Sequence, residues 1–198
     1  VKTDFNRDPQ NIMLSSSKDF LKINDVLLGE VWIAAGQSNM EMTFDYCCNS
    51  TDSSSAEIET ANFSNIRMYN VKKALSDHPL KDTDGKWISA EGKDIIDFSA
   101  AAYFFAKKLH LVLDVPIGII HASWGSSNIQ SWTSKNVLLG LDGFSEKFNT
   151  IEKDSLIFKK TKDWYSQFDN KYSGSGAWDL FLSSDILPPE IGYFDFFI

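Results

Sequence analysis

The sequence predicts an α/β fold built on a mainly parallel sheet. The prediction comes from two short apolar runs, 31–35 and 115–120, each followed by a loop of small and polar residues, and from a helical pattern between them. Apolar runs of this length that stop at turn residues are typical of buried strands. Strand, helix and strand in this order form a βαβ unit, in which the two strands run parallel through a right-handed crossover.

The composition limits the kind of protein and the kind of partner. The 198 residues are 43% hydrophobic and 14% aromatic, which indicates a globular chain with room for one full core and part of a second domain. A net charge of -8 leaves no basic stripe to neutralise phosphates, so we expect no nucleic-acid partner, whereas a neutral sugar is compatible. No apolar run approaches the ~20 residues of a membrane span and no signal peptide opens the chain, so we expect no membrane segment.

The two cysteines do not indicate a metal site. Cys47 and Cys48 are adjacent and are the only cysteines, and two thiols cannot complete a structural zinc site. We therefore expect no metal and no cofactor. The patterns Asn49-Ser50-Thr51 and Asn62-Phe63-Ser64 match glycosylation acceptors, which also occur by chance. We expect a secreted, periplasmic or lysosomal location, although neither the cysteines nor these patterns settle the compartment.

Further elements follow from local patterns. Residues 1–30 read as extended segments with turns, and the alternation in 66–71 predicts a strand. Residues 72–92 are predicted to be irregular, with Trp87 and Ile88 packed inward. The clearest helix begins at a cap, Asp97 or Ser99. Its apolar residues recur at helical spacing: Ala102, Phe105, Ala106, Leu109 and Leu113.

The character of the chain changes beyond Leu138. Aromatic and apolar residues at three- and four-residue steps predict a long amphipathic helix. The sequence Ser173-Gly174-Ser175-Gly176 is a linker signal, and an aromatic, β-like tail follows it. We therefore divide the chain into a domain over 1–172 and the beginning of a β-rich module over 173–198.

The functional candidate is the loop Gly36-Gln37-Ser38-Asn39, where the first buried strand ends. Ser38 stands where a strand meets a helix start, and the free N–H groups of a helix start stabilise negative charge. A serine beside such donors suits acyl transfer, although a mere helix cap is an equal alternative from this pattern alone. The second small-residue loop, 123–128, ends the other buried strand, and ligands bind at this edge of a parallel sheet. That convergence favours the functional interpretation.

The order of these motifs resembles that of sialate O-acetylesterases of the SGNH hydrolase superfamily. The resemblance rests on several short blocks spread over roughly residues 25–135. They are Gly29-Glu30-Val31-Trp32, Gly36-Gln37-Ser38-Asn39-Met40, Asn65-Ile66-Arg67, Phe98-Ser99-Ala100 to Phe105, Pro116-Ile117-Gly118-Ile119-Ile120, Ser123-Trp124-Gly125 and Ile129-Gln130-Ser131-Trp132. It implies a three-layer SGNH, flavodoxin-like fold and hydrolysis of acetyl esters on sugars. It also implies that 173–198 begins a β-sandwich inserted into the catalytic domain.

The resemblance assigns roles to individual residues. It implies that Ser38 is the nucleophile and that the N–H groups of Ser38 and Gly125 form the oxyanion hole. Gln37 and Asn39 are candidates to orient the nucleophile loop or the substrate. Trp124 is a candidate for sugar-facing surface, as is Trp132, and a structural role is at least as strong an alternative for both.

Three positions depart from the family. Members often have a second glycine and a threonine where this chain has Ser126 and Ser127, which leaves open which N–H group donates to the oxyanion. They commonly have a small or amide residue at the position of His121, which alters the pocket wall.

The chain lacks an evident base for Ser38. A serine nucleophile needs a histidine that is oriented by a carboxylate. The family carries its Asp and His near its C-terminal end, and no such motif occurs here. The only histidines are His78 in a polar loop, His110 near the helix end and His121 near the sheet edge where the two loops are predicted to meet. We expect the base in a missing C-terminal segment or a second chain, so that this chain is the N-terminal part of a longer enzyme.

Two functional readings follow. The first is a serine esterase that removes O-acetyl groups from sialic acid or another acetylated glycan through an acyl-enzyme on Ser38. The alternative is a carbohydrate-binding module without catalysis, or an inactive fragment, because the chain contains no triad Asp and His.

Overall fold

A computed structural model describes residues 6–45, 54–74, 80–125, 127–146, 148 and 159. Single 3₁₀ turns cover Gly92–Ile95 and Ile129–Trp132. The strands and α-helices follow in chain order: β1 (Gln10–Ser15), β2 (Phe20–Val26), β3 (Glu30–Gly36), α1 (Ser38–Glu41), α2 (Ser54–Thr60), β4 (Asn62–Asn70), β5 (Trp87–Glu91), α3 (Ala100–Leu113), β6 (Ile117–Ser123) and α4 (Lys135–Leu138).

The main sheet confirms the α/β prediction and its mainly parallel character. Its four described strands lie in the order β3-β6-β4-β5. β6 runs parallel to both β3 and β4, and β5 runs antiparallel to β4. β1 and β2 form a separate antiparallel hairpin within the extended segment predicted for residues 1–30. Because β6 pairs on both sides, it lies at the centre of the parallel strands.

The core lies between this sheet and α3. Ser99, one of the two predicted caps, accepts the Ala102 N–H at 3.2 Å through its Oγ. α3 contacts β6 and β4, and every second residue of β6 is buried: Ile117, Ile119, His121 and Ser123. The period of two along a strand explains this alternation, since successive side chains point to opposite faces. The last two buried positions of β6 are thus polar and lie near the carboxyl edge of the sheet.

Some details of the predicted secondary structure and packing are wrong. Residues 87–91 form strand β5 instead of an irregular segment, and Trp87 is 46% exposed instead of packed inward. Ile88 does pack against the core. Within the predicted stripe of α3, Ala102 and Ala106 are buried, whereas Phe105 and Leu113 are exposed. Ala100 and Tyr103 complete the buried face of the helix instead.

Some predictions fall outside the described residues. The long helix beyond Leu138 falls almost wholly outside them, and the module over 173–198 and its β-sandwich assignment do so entirely. The three-layer arrangement and the domain division stay predictions. Within the part of the chain that the structure describes, no helix is both long enough and apolar enough to cross a membrane.

Candidate active site

The two predicted loops meet at the carboxyl edge of the sheet. Gly36 ends β3 directly beside Ser123, the last residue of β6. The Trp124 N–H donates to the Gly36 carbonyl at 3.0 Å and ties the chain after β6 to the turn after β3. Gly36 has φ +156°, and a Cβ there would lie 3.2 Å from the Met40 Cβ. Glycine therefore permits the sharp turn that places α1 over the strand end.

Ser38 is the first residue of α1 and is held by its neighbour Gln37. The Oε1 atom of Gln37 accepts the Ser38 N–H at 3.1 Å and the Ser38 hydroxyl at 2.7 Å. Ser38 is half-buried, whereas Gln37 and Asn39 are exposed. An amide oxygen orients a hydroxyl but is too weak a base to take its proton. The structure thus gives Gln37 contact with the predicted nucleophile and leaves Asn39 on the surface of the same turn.

Gly125 lies against Ser38, and a carboxylate holds its N–H. A Cβ at Gly125 would lie 3.7 Å from the Ser38 Cβ and 2.8 Å from the Glu41 Oε2. That same Glu41 oxygen accepts the Gly125 N–H. The predicted oxyanion donor is therefore adjacent to Ser38 but is hydrogen-bonded to a negatively charged side chain of α1.

Glu41 also forms an ion pair across the site. Its Oε1 atom contacts the Lys73 Nζ, and the two side chains are 24% and 41% exposed. The Lys73 Nζ lies 5.5 Å from the centre of the Trp124 ring, within range of a cation–π contact. Sequence reasoning missed both Glu41 and Lys73. Glu41 could have been found from its position three residues after Ser38, since residues three apart on a helix lie on the same face.

The two tryptophans beyond β6 have different surroundings. The Trp132 Nε1–H donates to the Ser127 Oγ at 2.8 Å, and the Ser127 hydroxyl donates to the Trp124 carbonyl at 2.6 Å. Trp132 thereby stabilises the loop through hydrogen bonds, which favours a structural role for this residue over contact with a sugar. Trp124 lies beside Lys73 at the edge of the site and is partly buried.

Neither described histidine is hydrogen-bonded to Ser38. His110 lies near the end of α3 and its Nδ1 contacts the Val115 carbonyl at 2.7 Å. His121 is buried on β6, where its Nδ1 contacts the Asn70 Oδ1 at 3.0 Å and its Nε2 contacts the Ser123 Oγ at 2.6 Å. Burial lowers the pKa of His121, against the opposing effects of the Met40 carbonyl and the Glu41 carboxylate. His78 lies outside the described residues.

Comparison with known proteins gives relatives of one kind. No protein-family model matches the chain. A sialate O-acetylesterase of Rattus norvegicus is 32% identical over 126 residues, or 60% of this chain, and one of Homo sapiens is 33% identical over 122 residues, or 58% of it. A crystal structure of a carbohydrate acetylesterase from Xanthomonas citri superposes with a TM-score of 0.60 and 32% identity over 67% of the chain. The matched part of this chain is therefore similar in sequence to sialate O-acetylesterases and in fold to a carbohydrate acetylesterase.

The likeness to this family extends over only part of the relatives. The chain spans 23% of the length of each curated relative and 30% of the bacterial esterase. The relatives therefore contain much chain that has no counterpart in the matched region.

The structure brings most of the predicted site residues together. Ser38, Gln37 and Gly125 lie in mutual proximity, with Trp124 next to Gly125, while Asn39 faces outward on the same turn. Ser126, one of the positions that depart from the family, is outside the described residues. Over the described ranges, no group of three or more His, Cys, Asp or Glu side chains is arranged to hold a metal ion.

Proposed function

We propose that the chain carries the nucleophile of a serine esterase that removes O-acetyl groups from sialic acid or another acetylated glycan. The observation that carries the proposal is the proximity of Ser38 to Gly125 at the carboxyl edge of a parallel sheet. That edge is where α/β proteins bind ligands. The curated relatives named sialate O-acetylesterase and the bacterial carbohydrate acetylesterase support an acetylated sugar as substrate.

The chemistry assigned to Ser38 is attack on the acetyl carbonyl. The Ser38 Oγ forms a bond to the carbonyl carbon while its proton passes to a histidine base, and the carbonyl oxygen becomes an oxyanion. The oxyanion then collapses, the bond between the carbonyl carbon and the sugar oxygen breaks, and the protonated base gives its proton to that oxygen. The sugar leaves with a free hydroxyl, and the acetyl group stays on Ser38. Water, activated by the same base, releases acetate and restores the serine.

The oxyanion donors in this proposal are the N–H groups of Ser38 and Gly125. Each donates to a side chain in this structure, the first to Gln37 and the second to Glu41. The substrate oxygen therefore has to replace the Glu41 carboxylate at Gly125. Lys73 supports this exchange, because it holds the other Glu41 oxygen and compensates its charge. One such donor is typically worth about 3 kcal/mol of barrier.

The base is proposed to come from outside the described residues, in a further segment or a second chain. Ser38 has its described side-chain hydrogen bonds to Gln37, and the two described histidines bind elsewhere. Among the described strands, β3 is at the edge of the sheet, and its Val31 and Ile33 side chains are 61% and 72% exposed. A parallel strand is normally covered on both faces, so this edge, next to Ser38, is a suitable place for further chain. The proposed location of the protein remains secreted, periplasmic or lysosomal.

The alternative function is a carbohydrate-binding module. It is favoured by one observation, namely that Ser38 contacts an amide instead of a histidine. Acetate release from O-acetylated sialic acid and from an acetylated monosaccharide separates the two functions. The full native protein should release acetate, and its Ser38→Ala variant should still bind the sugar without releasing any. Binding without acetate release by the unaltered protein, with all native segments present, would establish the binding module instead.

A further inference from the structure

A buried polar chain lies beneath the nucleophile turn. Asn70 ends β4 opposite His121 of β6, and Ser123 is two residues further along β6 on the same buried face. His121 and Ser123 are only 9% and 8% exposed. The ring of His121 contacts the Asn70 Oδ1 at 3.0 Å and the Ser123 Oγ at 2.6 Å. Buried polar groups of this kind persist because they satisfy one another.

The Asn70 amide determines which ring nitrogen carries the proton. Its Nδ2 donates to the Asp97 carbonyl at 3.2 Å, so its Oδ1 faces His121. An amide oxygen only accepts, and therefore the Nδ1 of His121 is the N–H of the neutral ring. The Nε2 atom is then an acceptor, and the Ser123 hydroxyl donates to it.

The Nε2 atom also reaches the nucleophile turn. The Met40 carbonyl lies 3.1 Å from it. Met40 is two residues beyond Ser38, and its N–H donates to the Gln37 carbonyl at 2.9 Å. In the neutral ring a lone pair faces this carbonyl, whereas the protonated ring donates to it. The charge on His121 therefore decides whether the sheet attracts α1 at this point.

Asn70, His121 and Ser123 are hydrogen-bonded in the sequence found in a catalytic triad. The burial of Ser123 nevertheless excludes catalysis there. A serine bonded to a histidine that is oriented by an amide is a pattern that activates nucleophiles. At 8% exposure, however, Ser123 points into the core face of β6 and no substrate reaches it. The chain of contacts runs towards α1 instead.

We propose that His121 is a positioning residue, which with Asn70 and Ser123 holds α1, and Ser38 with it, against the sheet more tightly when its ring is protonated. The consequence for catalysis rests on the proposed esterase function. The attachment of α1 does not depend on that function. No proton transfer to or from a substrate is assigned to His121.

The charged groups around the ring set the pH at which the attachment changes. Burial acts most strongly and lowers the pKa of His121. The Met40 carbonyl and Glu41 on α1 favour the protonated ring, and Lys73, which follows β4, opposes it. The Asp97 side chain is exposed. On the buried face of α3, Tyr103 is the titratable residue, and its hydroxyl donates to Glu57 instead.

A titration followed by NMR tests the attachment directly. In the full protein, the amide signals of Ser38 and Met40 should move with the same pH midpoint as the His121 ring. Asn70→Asp places a negative charge beside the ring Nδ1 and should raise that midpoint by about one pH unit. His121→Gln should abolish the movement, while His110→Gln removes a histidine that does not contact α1 and should preserve it. Amide signals of α1 that ignore the His121 titration, or that respond equally to both glutamine variants, would overturn the proposal.

An activity measurement separates this inference from the proposed function. His121→Gln should lower kcat for acetate release about tenfold with KM little changed, since misplaced reacting groups lose rate more than binding. If the protein releases no acetate but the α1 signals follow the His121 titration, the proposed function fails and the positioning role stands. If acetate is released and the α1 signals do not follow, the positioning role fails alone.

Discussion

Ser38 and Ser123 lie at the ends of neighbouring parallel strands, yet each has only half of what acyl transfer requires. Ser38 is half-buried beside Gly125, but its hydroxyl donates to the Gln37 amide. Ser123 donates to a histidine at 2.6 Å, but it is 8% exposed. Ser38 has partial access to solvent and lies beside the proposed oxyanion donor, whereas Ser123 lies beside a histidine. Hydrogen-bond geometry alone therefore does not identify a nucleophile.

The difference arises from where each serine stands relative to its strand. Ser123 is still part of β6, and the period of two directs it to the buried face along with Ile119 and His121. Ser38 lies beyond β3, after the Gly36 turn and at the first position of α1. Two residues past the strand end, the side chain of Ser38 no longer follows the alternation of the strand. This is why the loop serine, and not the strand serine, is the candidate nucleophile.

Exchanging each serine for alanine should give the largest contrast. Ser38→Ala should reduce kcat/KM for acetyl ester hydrolysis by roughly 10⁴-fold or more, because the bond-forming oxygen is removed. Ser123→Ala removes one buried hydrogen bond, worth about 1 kcal/mol of stability, and should leave the rate within about tenfold. The measurement is initial-rate kinetics of the full protein with both variants at equal folded concentration. Equal losses of kcat/KM in the two variants would contradict the assignment of Ser38, and not Ser123, as the nucleophile.

A substitution at Gly125 tests the donor that favours Ser38. In Gly125→Ala the new Cβ would lie 2.8 Å from the Glu41 Oε2 and near the Ser38 side chain, so the loop that aims this N–H must shift. The loss of one oxyanion donor should lower kcat about 100-fold. Gly140→Ala, in the segment after α4, is the matched control and should leave kcat unchanged. An unaltered kcat in Gly125→Ala would exclude its N–H from the oxyanion hole.

The ion pair beside Ser38 should have a smaller effect. Lys73→Met leaves the Glu41 charge uncompensated next to the developing oxyanion and should lower kcat about fivefold, in keeping with about 1 kcal/mol for a partly exposed pair. Adding Glu41→Gln to this variant should restore most of the rate, because the repelling charge is gone. Lys107→Met breaks the pair with Glu57 elsewhere in the fold and serves as the control. A double variant no faster than Lys73→Met would show that the charge is not the cause.

The histidine that accompanies Ser123 should appear in the pH dependence of stability. The folded pKa of His121 lies below the ordinary value of 6.5, so the unfolded chain binds more protons as the pH falls below that value. This contribution to the free energy of unfolding is full above about pH 6.5 and decreases at lower pH. Denaturant unfolding between pH 7.5 and 5 should therefore show a shallower slope in His121→Gln than in His110→Gln. Identical slopes in the two variants would show that burial of His121 does not contribute to the pH dependence of the free energy of unfolding.

Much of the scaffold follows from local patterns in the chain. The apolar runs predicted β3 and β6, the alternation predicted β4, and a serine cap with helical spacing predicted α3, since each depends on neighbours within a few residues. Strand β5 was missed because its five residues follow a Pro- and Gly-containing polar segment without clear alternation. The exposure of Phe105 was missed because helical spacing does not say which stripe faces the sheet.

The site was predictable where chemistry lies in one loop and not where it depends on strand register. Ser38 and Gln37 are adjacent, and their loop is visible in the sequence. The Glu41 contacts join residues 32 and 84 positions apart, and the Asn70–His121 contact spans 51 positions. Only the parallel pairing of β4 with β6 brings Asn70 opposite His121. Local sequence patterns do not reveal that register, so these contacts could not be predicted from the sequence.

We propose that Ser38 and not Ser123 is the nucleophile, and the position of a covalent adduct distinguishes the two serines. The full native protein is treated with a serine-directed fluorophosphonate, digested and mapped by tandem mass spectrometry. We expect an adduct on Ser38 and none on Ser123, with labelling lost in Ser38→Ala and kept in Ser123→Ala. An adduct on Ser123, or no adduct on either serine when every native segment is present, would contradict it.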